Sequence, residues 1–211
     1  MNIIIFTGPK HSGKTSAGKA FASLCLSDNI QNEKPDCQAL PDLSKSNFID
    51  LDELITQKTG KTPRELFSEA PEIFKQAEAD AIHTAAECAS CAAKTAYSAE
   101  DSKLIIAAGG GIIDNPEALS VIKNAGALTV YLSISADTAW KRIYNSAAQT
   151  GFELPPFLRT ENPQETHRLL HERRAAAYLQ IADIVIEAEG KTPEQIAQSL
   201  CSVLTEKQRF A

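Results

Sequence analysis

The octapeptide GPKHSGKT, Gly8 to Thr15, follows the apolar run IIIF at the start of the chain. Its spacing is G-x-x-x-x-G-K-[ST], and each fixed position has a chemical reason. Gly8 and Gly13 permit backbone angles that turn N–H groups toward an anion. Lys14 brings a flexible positive charge to β- and γ-phosphates, and Thr15 offers a hydroxyl to Mg²⁺. Ser12 and Ser16 flank these residues and complete the candidate phosphate-binding set. A helix beginning here adds the positive end of its dipole. His11 falls at a free position and reads as a solvent-facing side chain. Such a loop holds a nucleoside triphosphate. The acceptor of its phosphate must be sought elsewhere.

Three further groups could shape that acceptor site. In FIDLDELI, Asp50 and Asp52 stand two apart at the end of an apolar run. A first carboxylate there can serve Mg²⁺, and a second can take the proton from an attacking hydroxyl. Alternatively, Asp52 caps the helix that follows. In AAGGGII, Gly109, Gly110 and Gly111 remove side chains directly after a strand. Backbone N–H groups can then approach a small polar ligand, unless the triplet is only a flexible turn. In HERRAAAYLQIAD, Arg174 and Tyr178 share a helix face. Arg174 could fork onto a carboxylate, or it could be a solvated helical residue.

These groups need a scaffold. Short apolar runs at 2–6, 48–50, 104–107, 128–134 and 184–187 read as buried parallel strands. Helical patterns lie between them. Ala17, Phe21 and Leu24 mark one buried face, and Asn115-Pro116 and Thr192-Pro193 are helix starts. Strands alternating with helices predict an α/β fold with a parallel sheet, organised as a single domain over 1–211. Two segments read as irregular. Ser27–Ser46 is polar, carries prolines and is long for a connection; it reads as a surface insertion, with a partner-binding loop as the alternative. Asn145–Pro163 contains a glycine and prolines that would break a helix.

Bulk properties narrow the class. The chain has 211 residues, 43% of them hydrophobic, and a net charge of −6. That charge argues against a nucleic-acid surface. No run has the length of a membrane span, and the first residues lack a signal-peptide plan, so the expectation is a cytoplasmic protein with no membrane partner. The 5 cysteines are expected to be reduced thiols. Cys88 and Cys91 form a C-x-x-C inside an Ala-rich helical run, and read as packing residues.

Taken in order, the motifs resemble the shikimate kinase family. That family carries an N-terminal P-loop, an F-x-D-x-D strand end, an F-R-x-x-E helix, a G-G-G turn, an R-P-L-L lid and a late R-x-x-x-Y helix. The resemblance covers nearly the whole chain apart from Ser27–Ser46. It implies a P-loop kinase three-layer fold: a five-stranded parallel sheet of order 2-3-1-4-5, helices on both faces, a substrate-binding region at 51–80 and a mobile lid at 145–163. It also implies a monomeric ATP-dependent kinase, with Mg²⁺, that passes the γ-phosphoryl group to a hydroxyl of shikimate. Thr15 and Asp50 would serve Mg²⁺, and Asp52 would clamp the acceptor and act as base. Gly109–Gly111 and Arg174 would hold the acceptor, and Arg142 would flank adenine. Two positions depart. Lys75, in FKQAE, stands where an arginine binds the substrate carboxylate, and it keeps the charge without the planar fork. Pro155, in PPFL, stands where a lid arginine reaches the phosphates, which makes Arg159 the candidate replacement. A kinase of another small hydroxy acid, such as a sugar acid, and a nucleotide-binding regulatory protein with impaired turnover are the alternatives.

Overall fold

A computed structural model describes residues 3–27, 47–95, 103–150 and 154–209. The apolar run Ile3–Thr7 forms strand β1, buried along its whole length. Strands β2 (Phe48–Asp50), β3 (Leu104–Ala107), β4 (Leu128–Ser133) and β5 (Ile184–Glu187) complete a sheet of order β2-β3-β1-β4-β5. Every pairing is parallel: Ile4 lies opposite Ile105 on one side and Leu128 on the other. This is the order implied by the resemblance. Two strand limits move by one residue, since β1 includes Thr7 and β4 ends at Ser133; Asn2 lies outside the described residues.

The helices are α1 (Lys14–Ser27), α2 (Leu51–Thr59), α3 (Pro63–Glu69), α4 (Pro71–Thr95), α5 (Pro116–Asn124), α6 (Ala136–Thr150), α7 (Pro163–Ile181) and α8 (Pro193–Arg209). Successive strand residues point to opposite faces, so the core is split in two by the sheet. Ile3, Ile5, Ile106 and Tyr131 pack with Leu51, Ile82 and Ile122 on one face. Ile4, Phe6, Val130 and Leu132 pack with Phe21 and Leu200 on the other. Among the described residues, no helix is long and apolar enough to cross a membrane.

Local signals set the helix starts. Asn115 accepts from the Ala118 N–H with Pro116 in the first helical position. The Thr192 hydroxyl accepts from the Gln195 N–H at 3.3 Å. Three expectations are corrected. Residues 145–150 are not irregular, because α6 runs through Thr150. NSAAQT holds no breaker; Gly151 and the prolines come after it. Leu24 leaves the buried stripe of α1 and is 37% exposed, since the stripe gives out in the last turn, while Ala17 and Phe21 stay buried. Ser27 closes α1 rather than opening a loop. Residues 28–46 lie outside the described residues, as does the side chain of Cys91, while Cys88 is buried on α4 as a packing residue should be.

Candidate active site

The loop between β1 and α1 is tight because its glycines allow it. Gly8 has a φ of 136°, and a Cβ there would lie 2.6 Å from the Leu132 carbonyl oxygen, so no other residue fits. Lys14 opens α1 and is almost fully buried; its Nζ donates to the carbonyls of Gly8 at 3.0 Å and Pro9 at 2.8 Å. Burial pushes its pKa down to about 8, with Asp52 opposing that and Lys10 adding to it. The buried Ser12 hydroxyl has no hydrogen-bond partner. A buried lysine satisfied only by carbonyls and an orphaned hydroxyl in one loop fit an anion bound against them.

His11 does not simply face solvent. It is half-buried in the cleft wall at a φ of 60°, and its carbonyl accepts from Arg142 Nη1 at 2.8 Å. Burial, then the charges of Lys10, Lys14 and Arg142, push its pKa down to about 4, which leaves it neutral at pH 7. A free motif position says nothing of the surroundings of its side chain.

The two aspartates divide their work. Asp50 is the N-cap of α2: its Oδ1 accepts from the N–H groups of Asp52 at 3.0 Å and Glu53 at 3.4 Å. Its Oδ2 accepts from the Thr15 hydroxyl at 2.6 Å. The capping role weighed for Asp52 therefore belongs to Asp50. Asp52 is left facing the cleft, open to it yet deep within it, and desolvation together with the neighbouring Asp50 raises its pKa against Lys10 and Lys14. The Thr15–Asp50 pair presents two hard oxygens beside the lysine, a set that fits Mg²⁺ shared with nucleotide phosphates.

Beyond β3, the glycine triplet packs directly against the phosphate loop. A Cβ on Gly110 would lie 2.9 Å from the backbone nitrogen of Lys10. The Gly110 carbonyl accepts from Arg174 Nη1 at 3.1 Å and from the Tyr178 hydroxyl at 3.2 Å. Arg174 is gripped in turn by Asp114, with Nη2 2.7 Å from Oδ2, while Arg173 forks onto the same carboxylate at 2.8 and 3.0 Å. Tyr178 stacks on Tyr131 with ring centroids 5.1 Å apart. Gly110→Ala is therefore expected to push the triplet off the loop. Activity should fall at least about tenfold with a stability loss of only about 1–3 kcal/mol. Steady-state kinetics beside thermal melting would check this, and an alanine variant with parental kcat would contradict it.

Glu78, on α4, was not singled out from the sequence. It is 1% exposed; Oε2 accepts from Asn115 Nδ2 at 3.0 Å and Oε1 has no partner. Burial pushes its pKa up from 4.5 to about 7, with Asn115 opposing and the charge of Asp52 reinforcing the rise. The folded state thus favours the protonated carboxyl, and the stability this gives is lost as pH rises from the ordinary glutamate range through about 7. Glu78→Gln should stabilise the protein at pH 8 by on the order of 2–3 kcal/mol and change little at pH 5. Denaturant melts at the two pH values are the check; an equal loss at both would contradict it.

These residues open into one cleft of about 1020 Å³. Gly13, Lys14, Thr15, Ser16, Asp50, Asp52, Gly109, Gly110, Gly111, Arg142 and Arg174 all line it, while Gly8 and Ser12 are buried under the loop. Two expected site residues are elsewhere. Lys75 pairs with Glu72, one turn earlier on α4, at 3.2 Å, and does not line the cleft. Arg159 Nε donates to the Leu154 carbonyl at 3.3 Å and is likewise outside the lining. Arg64, on α3, does line the cleft and donates to the same carbonyl at 3.3 Å. Its only sequence signal was the Thr62–Glu65 capping box that fixes the start of α3. Pro155 lines the cleft without a charge.

A family model described as Shikimate kinase matches residues 38–205. The chain is 32% identical to the shikimate kinase of Streptococcus gordonii, over 72% of this chain and 83% of that protein. It is 33% identical to the shikimate kinase of Lactococcus lactis subsp. cremoris, over 75% of this chain and 85% of that one. In fold it is similar to the shikimate kinase of Acinetobacter baumannii solved in complex with shikimate, with a TM-score of 0.71, 22% identity, and 98% and 94% of the two chains covered. With the fold, the order of its motifs and relatives above 30% identity all in agreement, the chain belongs to the shikimate kinase family.

Proposed function

We propose that this chain transfers the γ-phosphoryl group of ATP to a hydroxyl of shikimate. The observation that carries the reading is one cleft in which Asp52 stands between the phosphate loop and the Gly109–Gly111 floor, with Arg174 beside that floor. A nucleotide switch has no need of such an acceptor end. The phosphates would rest on the loop from Gly8 to Ser16, with Lys14 turning from its carbonyls to them. Arg142 would flank the adenine. Mg²⁺, held by Thr15 and Asp50, would neutralise phosphate charge. Asp52 would accept the proton of the attacking hydroxyl, and its raised pKa makes it a better base than an ordinary aspartate. Arg174, aimed by Asp114, would meet the acceptor's carboxylate. Lys75 and Arg159 take no direct part in the geometry described.

Such transfer is mostly positioning and charge stabilisation. Pro155 offers neither at the lid, which favours slow turnover. The test is ADP release by the purified chain with ATP and Mg²⁺ against shikimate, a sugar acid and no acceptor. Release that depends on shikimate supports the proposal. Release that depends on the sugar acid alone, or on no acceptor, overturns it.

A further inference from the structure

Most cations in and around the cleft are committed to partners, and one is not. Arg174 is tied to Asp114 and Gly110. Arg142 and Arg64 are tied to carbonyls, and Lys75 is outside the lining. Lys10 differs. It is exposed, it lines the main cleft, and it also lines the small adjoining cavity shared with Arg174 and Phe157. Its ammonium makes no hydrogen bond or ion pair among the described residues. Its backbone is pinned against Gly110, so the side chain starts at the glycine floor. The geometry points to Lys10 as a second cation for the acceptor's carboxylate, working beside Arg174 and setting the preference for an anionic acceptor.

This inference rests on shikimate being the acceptor. Arg174 shares Asp114 with Arg173, so part of its charge is already engaged, and a second cation at the floor would help offset the desolvation of an acceptor carboxylate. Lys75, to which the family resemblance gives this task, pairs with Glu72 and does not line the cleft. Lys10 lines both cavities together with Arg174 and stands on the phosphate loop itself, and so would couple acceptor binding to the loop's position.

The test compares Lys10→Met and Lys10→Arg with the parent chain, using shikimate and its neutral methyl ester, with KM for ATP measured in parallel. A charge-assisted contact should give Lys10→Met a KM for shikimate raised at least about tenfold, with kcat within about threefold and KM for ATP within about twofold. The parent's preference for shikimate over the ester should shrink by the same factor, and Lys10→Arg should restore it. An unchanged KM for shikimate, or an unchanged preference over the ester, overturns the inference. So does a rise in KM for ATP alone, which would make Lys10 a nucleotide contact. A parent that phosphorylates no shikimate overturns the underlying function and this inference with it, and is told apart because it appears before any variant is compared.

Discussion

Asp52→Asn is expected to lower kcat by about two to four orders of magnitude, the range that a positioned general base contributes. The amide keeps the shape of the carboxyl but cannot take the hydroxyl proton. ATP affinity should stay within about twofold, because the loop, Thr15 and Asp50 are untouched. A pH profile sharpens the test. Desolvation and Asp50 raise the pKa of Asp52, so the active carboxylate is gained as pH rises through that raised value. The parent should show an acid limb above the ordinary aspartate range, and Asp52→Asn should lack it. Glu78 titrates nearby, at about 7. Glu78→Gln must therefore keep the acid limb if the assignment to Asp52 is right. Equal kcat in Asp52→Asn and the parent would remove Asp52 from the chemistry.

The second large effect belongs to Lys14. Removing one preorganised donor from a phosphoryl or oxyanion site costs about 10²- to 10³-fold in rate, and Lys14→Ala should fall in that range. The mechanism also has a proton signature. Burial holds the Lys14 pKa near 8 in the free protein, so part of the population is neutral just above that pH. Phosphates favour the charged form, so ATP binding must take up a proton there. Affinity should decline by at most about tenfold per pH unit above 8, and calorimetry in buffers of different ionisation enthalpy should show proton uptake. Lys14→Ala should show none of it. ATP binding that is flat from pH 7 to 9.5, with no proton linkage, would show that Lys14 does not meet the phosphates.

The sequence exposed the parts of this site that are local. A P-loop is read within eight residues, and Asp50, Asp52 and the glycine triplet each follow a short apolar run. Their meeting in one cleft follows from the parallel sheet, whose strand ends bring them together. What was not legible depends on contacts between distant segments. Asp114 follows the glycine triplet, but its grip on Arg173 and Arg174 spans 59 and 60 residues. Glu78 was visible as the glutamate of FKQAE, yet its burial depends on α4 lying across the sheet beside α5. The pairing of Lys75 with Glu72 was within reach, being an i,i+3 pair on one helix. The end of α6 is likewise local: the first breaker in 145–163 is Gly151, and the helix runs up to Thr150 before it.

The proposed chemistry moves a phosphoryl group from ATP to shikimate in this cleft. The most direct measurement is phosphorus NMR of the purified chain with equal ATP and shikimate in the presence of Mg²⁺. One new phosphomonoester resonance is expected, growing in step with ADP and absent without shikimate. ATP that stays intact, or inorganic phosphate as the sole product at the same rate with and without shikimate, would contradict it.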